Sequence, residues 1–100
     1  MREVDYKTGY NLRDMHNGRI DSRTSIEKEG NWFVVRLHGN EIARYDGKTL
    51  EIDSCGYYTL TTTNRLNGIL NAITGGFIKR KGGKFYLNDE EWDGRAVKVN

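Results

Sequence analysis

Proline is missing from this chain altogether, and cysteine occurs once, at Cys55. No function attaches to the missing proline. The single thiol excludes an internal disulfide framework, and without a CxxC pair or a Cys/His cluster it offers no zinc site. Cys55 is expected as a reduced thiol of a cytosolic protein. Long apolar runs are missing too. The opening residues, MREVDYKTGY, carry charges where a secretory signal needs an apolar stretch, and no run approaches membrane-spanning length. Neither secretion nor membrane insertion is expected. Charge of one sign is also scarce: a formal net charge of +2 permits an anionic partner but is far from the basic signature of a dedicated duplex binder. A chain of 100 residues makes one domain, with a core large enough to fold but too small to hide a deep catalytic cleft.

Catalytic groups are few. His16 and His38 have no serine or cysteine at a recognisable motif spacing, and His38, ahead of Gly39, reads as a turn residue. Asp89, Glu90, Glu91 and Asp93 lack the regular oxygen-ligand spacing of a calcium loop and read as a solvated acidic connector. The expectation is a protein without catalysis, metal or cofactor.

Along the chain, residues 1–23 show neither helical nor strand periodicity. They read as an extended or partly disordered arm, with Tyr6, Tyr10 and Leu12 favouring a strap over another surface. Residues 24–100 form the α+β domain. An antiparallel meander of about four strands is expected over Thr24–Glu29, Trp32–Leu37, Glu41–Tyr45 and Lys48–Asp53, punctuated by Gly30-Asn31, His38-Gly39 and Asp46-Gly47. Trp32, Val34 and Tyr45 fall on sheet positions that one helix cannot cover, an apolar patch suited to a two-fold interface. A helix is expected at about residues 64–73, because Leu66, Ile69, Leu70 and Ile73 share one face and Gly75-Gly76 stops it. A hairpin, Phe77–Arg80 with Lys84–Leu87 across Gly82-Gly83, and a short strand within Arg95–Val99 complete a mainly antiparallel sheet.

The stretch from Ser54 to Asn67 organises the rest. It begins like a strand and ends as the first turn of the helix. Thr61, Thr62, Thr63 and Asn64 stand where an N-cap oxygen is wanted, and Arg65 adds a full charge in the first turn. Hydroxyls, free amides and a guanidinium together make an anion site; the plain alternative is a capped helix with Arg65 in water. The rings of Tyr57 and Tyr58 face opposite ways in an extended segment, so one can enter the core while the other stays at the site. A second feature is the basic hairpin Lys79-Arg80-Lys81-Gly82-Gly83-Lys84, with Phe77, Phe85 and Tyr86 nearby. Such hairpins can hold nucleic-acid backbone and stack bases, or simply stay soluble.

Arg36-Leu37-His38-Gly39-Asn40-Glu41-Ile42, followed by Leu50, Ser54, Gly56, Tyr57, Thr59, Thr61, Thr62, Arg65, Leu66 and Asn67, resembles a family of small proteins encoded by tailed phages. The family pattern is roughly R-L-H-x-T-x-I, then L-N-S-G-G-W-x-T-x-T-T-K-x-R-I-N. The resemblance covers about residues 24–73, and T-x-T-T-x-x-R-[IL]-N is its most specific part. Cys55 stands in place of a glycine, Tyr57 of a tryptophan and Thr63 of a lysine, the last removing a charge from the anion site.

A phage origin implies a counter-defence or host-takeover protein. By that analogy the chain is expected to be a sponge in the host cytoplasm that sequesters a cyclic (oligo)nucleotide immune signal without catalysis. Its ligand residues would be His38, Tyr57, Tyr58, Thr59, Thr61, Thr62, Thr63, Asn64, Arg65 and Asn67, and its assembly a homodimer or higher even oligomer. The alternative is a nucleic-acid-binding or host-protein-binding takeover factor acting through the hairpin over residues 77–86; a third is a virion or structural accessory protein.

Overall fold

Two helices and nine strands build the chain in a computed structural model that describes residues 1–100. Helix α1 spans Glu3–Arg13 and α2 spans Leu60–Ile73; the strands are β1 (Gly18–Arg19), β2 (Thr24–Glu29), β3 (Trp32–Leu37), β4 (Asn40–Tyr45), β5 (Leu50–Ile52), β6 (Ile78–Lys81), β7 (Lys84–Leu87), β8 (Glu90–Trp92) and β9 (Val97–Lys98). Six strands make one antiparallel sheet in the order β1-β2-β3-β4-β5-β9, and β6-β7-β8 make a second. The fold is α+β and dominated by antiparallel sheet.

The strands follow from composition. Trp-Phe-Val-Val-Arg-Leu in β3 is aromatic and β-branched, and such residues suit a pleated, half-buried surface. Ile26, Val35, Leu37, Ala43, Leu50 and Ile52 of the large sheet pack with Leu66, Ile69 and Leu70 of α2 and with Ile78, Phe85 and Trp92 of the small one. The two sheets and α2 therefore share one core. A fully buried aliphatic side chain of this kind contributes about 1.5–3 kcal/mol, so the apolar face of α2 is the helix's main anchorage.

The N-terminal segment is not an extended or disordered arm: Glu3–Arg13 is helical and packed. Its buried residues are Asp5, Thr8, Gly9 and Leu12, which repeat at helical spacing but are mostly polar or small. A search for apolar periodicity passes over such a stripe. Gly9 and Gly68 let α1 and α2 meet backbone to backbone. A Cβ on Gly9 would lie 2.1 Å from the Gly68 carbonyl oxygen, and one on Gly68 would lie 2.0 Å from the Asp5 carbonyl oxygen.

Three other expectations change. Helix α2 begins at Leu60 rather than near residue 64, with Thr59 as its N-cap. The acidic connector contains a strand, β8, reached by a tight turn in which Asn88 and Asp89 both have positive φ. The apolar patch on the outer face of the large sheet is closed: Val34 is fully buried, and the Arg44 guanidinium lies 5.2 Å from the centre of the Trp32 ring. Arg36 pairs with Glu27 and Glu29, and Arg44 with Glu41, and the strand register sets Glu27 and Arg44 on either side of Val34. Tyr45 packs against the core.

Candidate functional site

The turn between β3 and β4 faces the start of α2. His38 and Gly39, with φ of 52° and 81°, close a two-residue hairpin, a geometry that needs positive φ at both positions. The segment from Ser54 to Tyr58 is pinned beneath. The Ser54 hydroxyl donates to the Gly94 carbonyl at 2.8 Å, and the Tyr58 hydroxyl donates to the Asp93 carbonyl at 2.9 Å. The Cys55 thiol donates to the Glu41 carbonyl, and burial, with help from Asp53 and Glu41, holds its pKa above the ordinary thiol value.

Between the turn and the helix lies an open groove of about 350 Å³ lined by Leu37, His38, Asn40, Ile42, Tyr57, Thr59, Thr61 and Thr62. These are the two stretches that carry the phage-family resemblance, brought together as opposite walls. Thr59 is occupied: its hydroxyl accepts the Thr62 N–H at 3.2 Å, and its carbonyl accepts the Thr63 N–H and hydroxyl. The Thr61 hydroxyl and the N–H groups of Leu60 and Thr61 have no intramolecular partner, as the first turn of any helix leaves donors free.

The structure divides the sequence-predicted residues. His38, Tyr57, Thr59, Thr61 and Thr62 line the groove. Tyr58 does not; its ring stacks on Phe85 at 4.8 Å, and Phe85 stacks on Trp92. Thr63 is buried, and Asn64 lies outside the groove. Asn67 holds β6, accepting the Ile78 N–H at 2.6 Å and donating to the Ile78 carbonyl at 3.0 Å.

Arg65 is the main correction. Its guanidinium is buried, donating from Nε to Asp5 Oδ1 at 3.1 Å and from Nη1 to Thr24 Oγ1 at 2.7 Å. The second Asp5 oxygen accepts the Arg2 backbone N–H at 2.8 Å. Burial draws Arg65 below the ordinary arginine value, against the opposing pull of Asp5 and Asp21. This arginine is a rivet between α1, α2 and β2, not an anion ligand. No lysine or arginine lines the groove.

Asn40 is the polar wall residue that sequence reasoning passed over. Its signal was its position directly after the His38-Gly39 turn, where a strand-opening side chain stands beside the loop. No group of three or more His, Cys, Asp or Glu side chains comes together in a way that could hold a metal ion, and no helix is long and apolar enough to cross a membrane.

Fold and groove thus define a small, mainly antiparallel α+β domain with a polar cleft at a helix start. The family model described as Kyanoviridae Gp96 protein matches residues 1–98. The chain belongs to that family, a family of phage proteins, and the match spans nearly its whole length. No curated protein and no solved structure matches it.

Proposed function

We propose that the chain is a non-catalytic phage counter-defence protein that binds and sequesters a cyclic (oligo)nucleotide signal in the groove between the β3–β4 turn and α2. The observation that carries the reading is the composition of the groove. It offers a half-exposed aromatic ring, Tyr57, together with Asn40, His38, the Thr61 hydroxyl and unpaired helix N–H groups, but no cation. A cyclic phosphodiester carries a single negative charge per phosphate, which hydroxyls and a helix N-terminus can hold. A nucleoside triphosphate, with several charges crowded together, calls for Lys or Arg. The volume of about 350 Å³ falls at the lower end of ordinary ligand clefts, about 300–1,000 Å³.

Assembly as a homodimer or higher even oligomer belongs to the same proposal. The outer sheet face around Trp32 is closed, so the surface for it is the rim of the groove, where Tyr57 is 51% and Leu60 62% exposed. Two such rims facing one another would present paired tyrosines and threonines to a two-fold ligand.

Native mass spectrometry with a panel of cyclic mono-, di- and trinucleotides, alongside ATP and GTP, tests the reading and reports stoichiometry directly. Binding of a cyclic species with exclusion of the triphosphates is expected. If every cyclic species fails to bind, the reading is wrong.

A further inference from the structure

The hairpin β6–β7 concentrates charge that the groove does not use. Four of the sixteen Lys and Arg residues, and none of the fourteen Asp and Glu, lie within Phe77–Leu87. The rest of the chain is therefore net acidic, and the hairpin is a basic point on an acidic body. Strand register sorts its side chains. Lys79 stands opposite Tyr86 and Lys81 opposite Lys84, all on one face, while Ile78, Phe85 and Leu87 on the other pack into or against the core. That outward face forms a second open groove, about 540 Å³, lined by Lys79, Lys81, Gly82, Lys84 and Tyr86 and by one carboxylate, Asp89.

Two lysines have counter-charges, Lys79 with Asp89 at 3.6 Å and Lys84 with Glu91 at 3.3 Å. Both pairs are more than half exposed, so each is weak and a phosphate can displace the carboxylate. Lys81 and Arg80 make no ion pair. Gly82 and Gly83, with φ of 59° and 76°, give a tight turn without side chains, leaving room for a polymer to pass close to the backbone.

We propose that this face binds single-stranded nucleic acid, with phosphates on Lys79, Lys81 and Lys84 and one unpaired base on the half-buried ring of Tyr86. A single strand fits better than a duplex for two reasons. The ring sits among the lysines, where only an unstacked base can reach it, and the acidic body beyond the hairpin repels the broad charge of a double helix. None of these residues lines the groove at α2, so this proposal and the cyclic-nucleotide reading stand or fall separately.

The test is fluorescence anisotropy of a labelled oligothymidylate of about 15 nucleotides, read at about 50 mM and 200 mM salt. The expected log–log salt slope is about −2, for three phosphates released at about 0.7 each. The double variant K81E/K84E, at two exposed positions, should lose at least tenfold in affinity; Tyr86→Ala should lose about tenfold and Tyr86→Phe should hold. Circular dichroism checks that each variant is folded. Failure of the wild type to bind at the lower salt overturns the proposal, as does undiminished binding by K81E/K84E. Equal or tighter binding of a duplex of the same length also overturns it, and so does displacement by polyglutamate as readily as by unlabelled strand, which would assign the face to an acidic protein.

Discussion

Asp5 and Arg65, sixty positions apart in sequence, form a fully buried ion pair in which both carboxylate oxygens accept a hydrogen bond and the guanidinium donates from Nε and Nη1. Removing one member leaves the other charged and desolvated. Arg65→Ala is expected to cost about 3–5 kcal/mol of stability, and Asp5→Ala a similar amount. The double variant D5L/R65M should be less destabilised than the sum of the two single losses, because it leaves no orphan charge. Denaturant titration measures all of these. An Arg65→Ala protein as stable as wild type would contradict the structural role assigned to this arginine.

Gly9→Ala is expected to destabilise by about 3 kcal/mol, the upper range for overpacking. The added methyl meets backbone, the Gly68 carbonyl, and backbone cannot swing aside as a long side chain can. Ordinarily alanine at a helical glycine is gained stability of up to about 1 kcal/mol. The sign of the change in melting temperature therefore decides whether the two helices touch as described.

Adjacent tyrosines should behave oppositely. Tyr58→Ala removes the stack on Phe85 and the hydrogen bond to Asp93, for an expected loss of about 2 kcal/mol or more. Tyr57→Ala should leave stability within about 0.5 kcal/mol, since its ring, as exposed as that of Tyr58, makes no aromatic stack and no hydrogen bond, but weaken a cyclic nucleotide by about tenfold. Thermal melts and ligand titrations on the same two variants separate the roles.

Stability should fall on both sides of neutrality. The hydrogen bond from Arg44 holds Glu41 below its ordinary 4.5, and hydrogen bonds from the Thr49 and Lys48 N–H groups hold Asp46 below 3.8. Groups depressed in the folded state stabilise it above their unfolded values, so this part is lost as pH drops below about 4.5 and is gone once the folded values are passed. Cys55 has the reverse sign. Its raised value favours the folded state below 9.0 and withdraws that preference above it. Melting temperatures recorded between pH 3 and pH 10 should fall at both ends, and Cys55→Ser should flatten the alkaline arm alone. At neutral pH the thiol should alkylate slowly, because thiolate is the reactive form.

The meander and the second hairpin were legible because each strand is bounded by glycine or asparagine at a tight turn and carries β-branched or aromatic residues. Helix α1 was not legible, since its buried stripe is made from Asp5, Thr8 and Gly9, whose burial depends on partners on α2. The start of α2 was placed late because several threonines in a row each suit a cap, and only the fold selects Thr59. At the candidate site, pattern reasoning found the threonines and tyrosines but put Arg65 among them. Arginines are seldom buried without a partner, and nothing local to residue 65 discloses Asp5. The strand β8 hid behind its acidic residues, although Asn88-Asp89 was a serviceable turn signal.

Asn67 treats Ile78 as a neighbouring strand would, taking both its N–H and its carbonyl with one side-chain amide. Helix α2 thereby terminates the small sheet on its β6 side. A strand from another molecule cannot zip along that border from its first residue, because the place is filled; the lysines further along discourage it as well. Growth of this sheet by pairing between molecules is expected from β8 in preference, whose outward border no strand occupies. The chain thus has a polarity for edge-to-edge association, set by a single carboxamide on a helix rather than by any strand of the sheet itself.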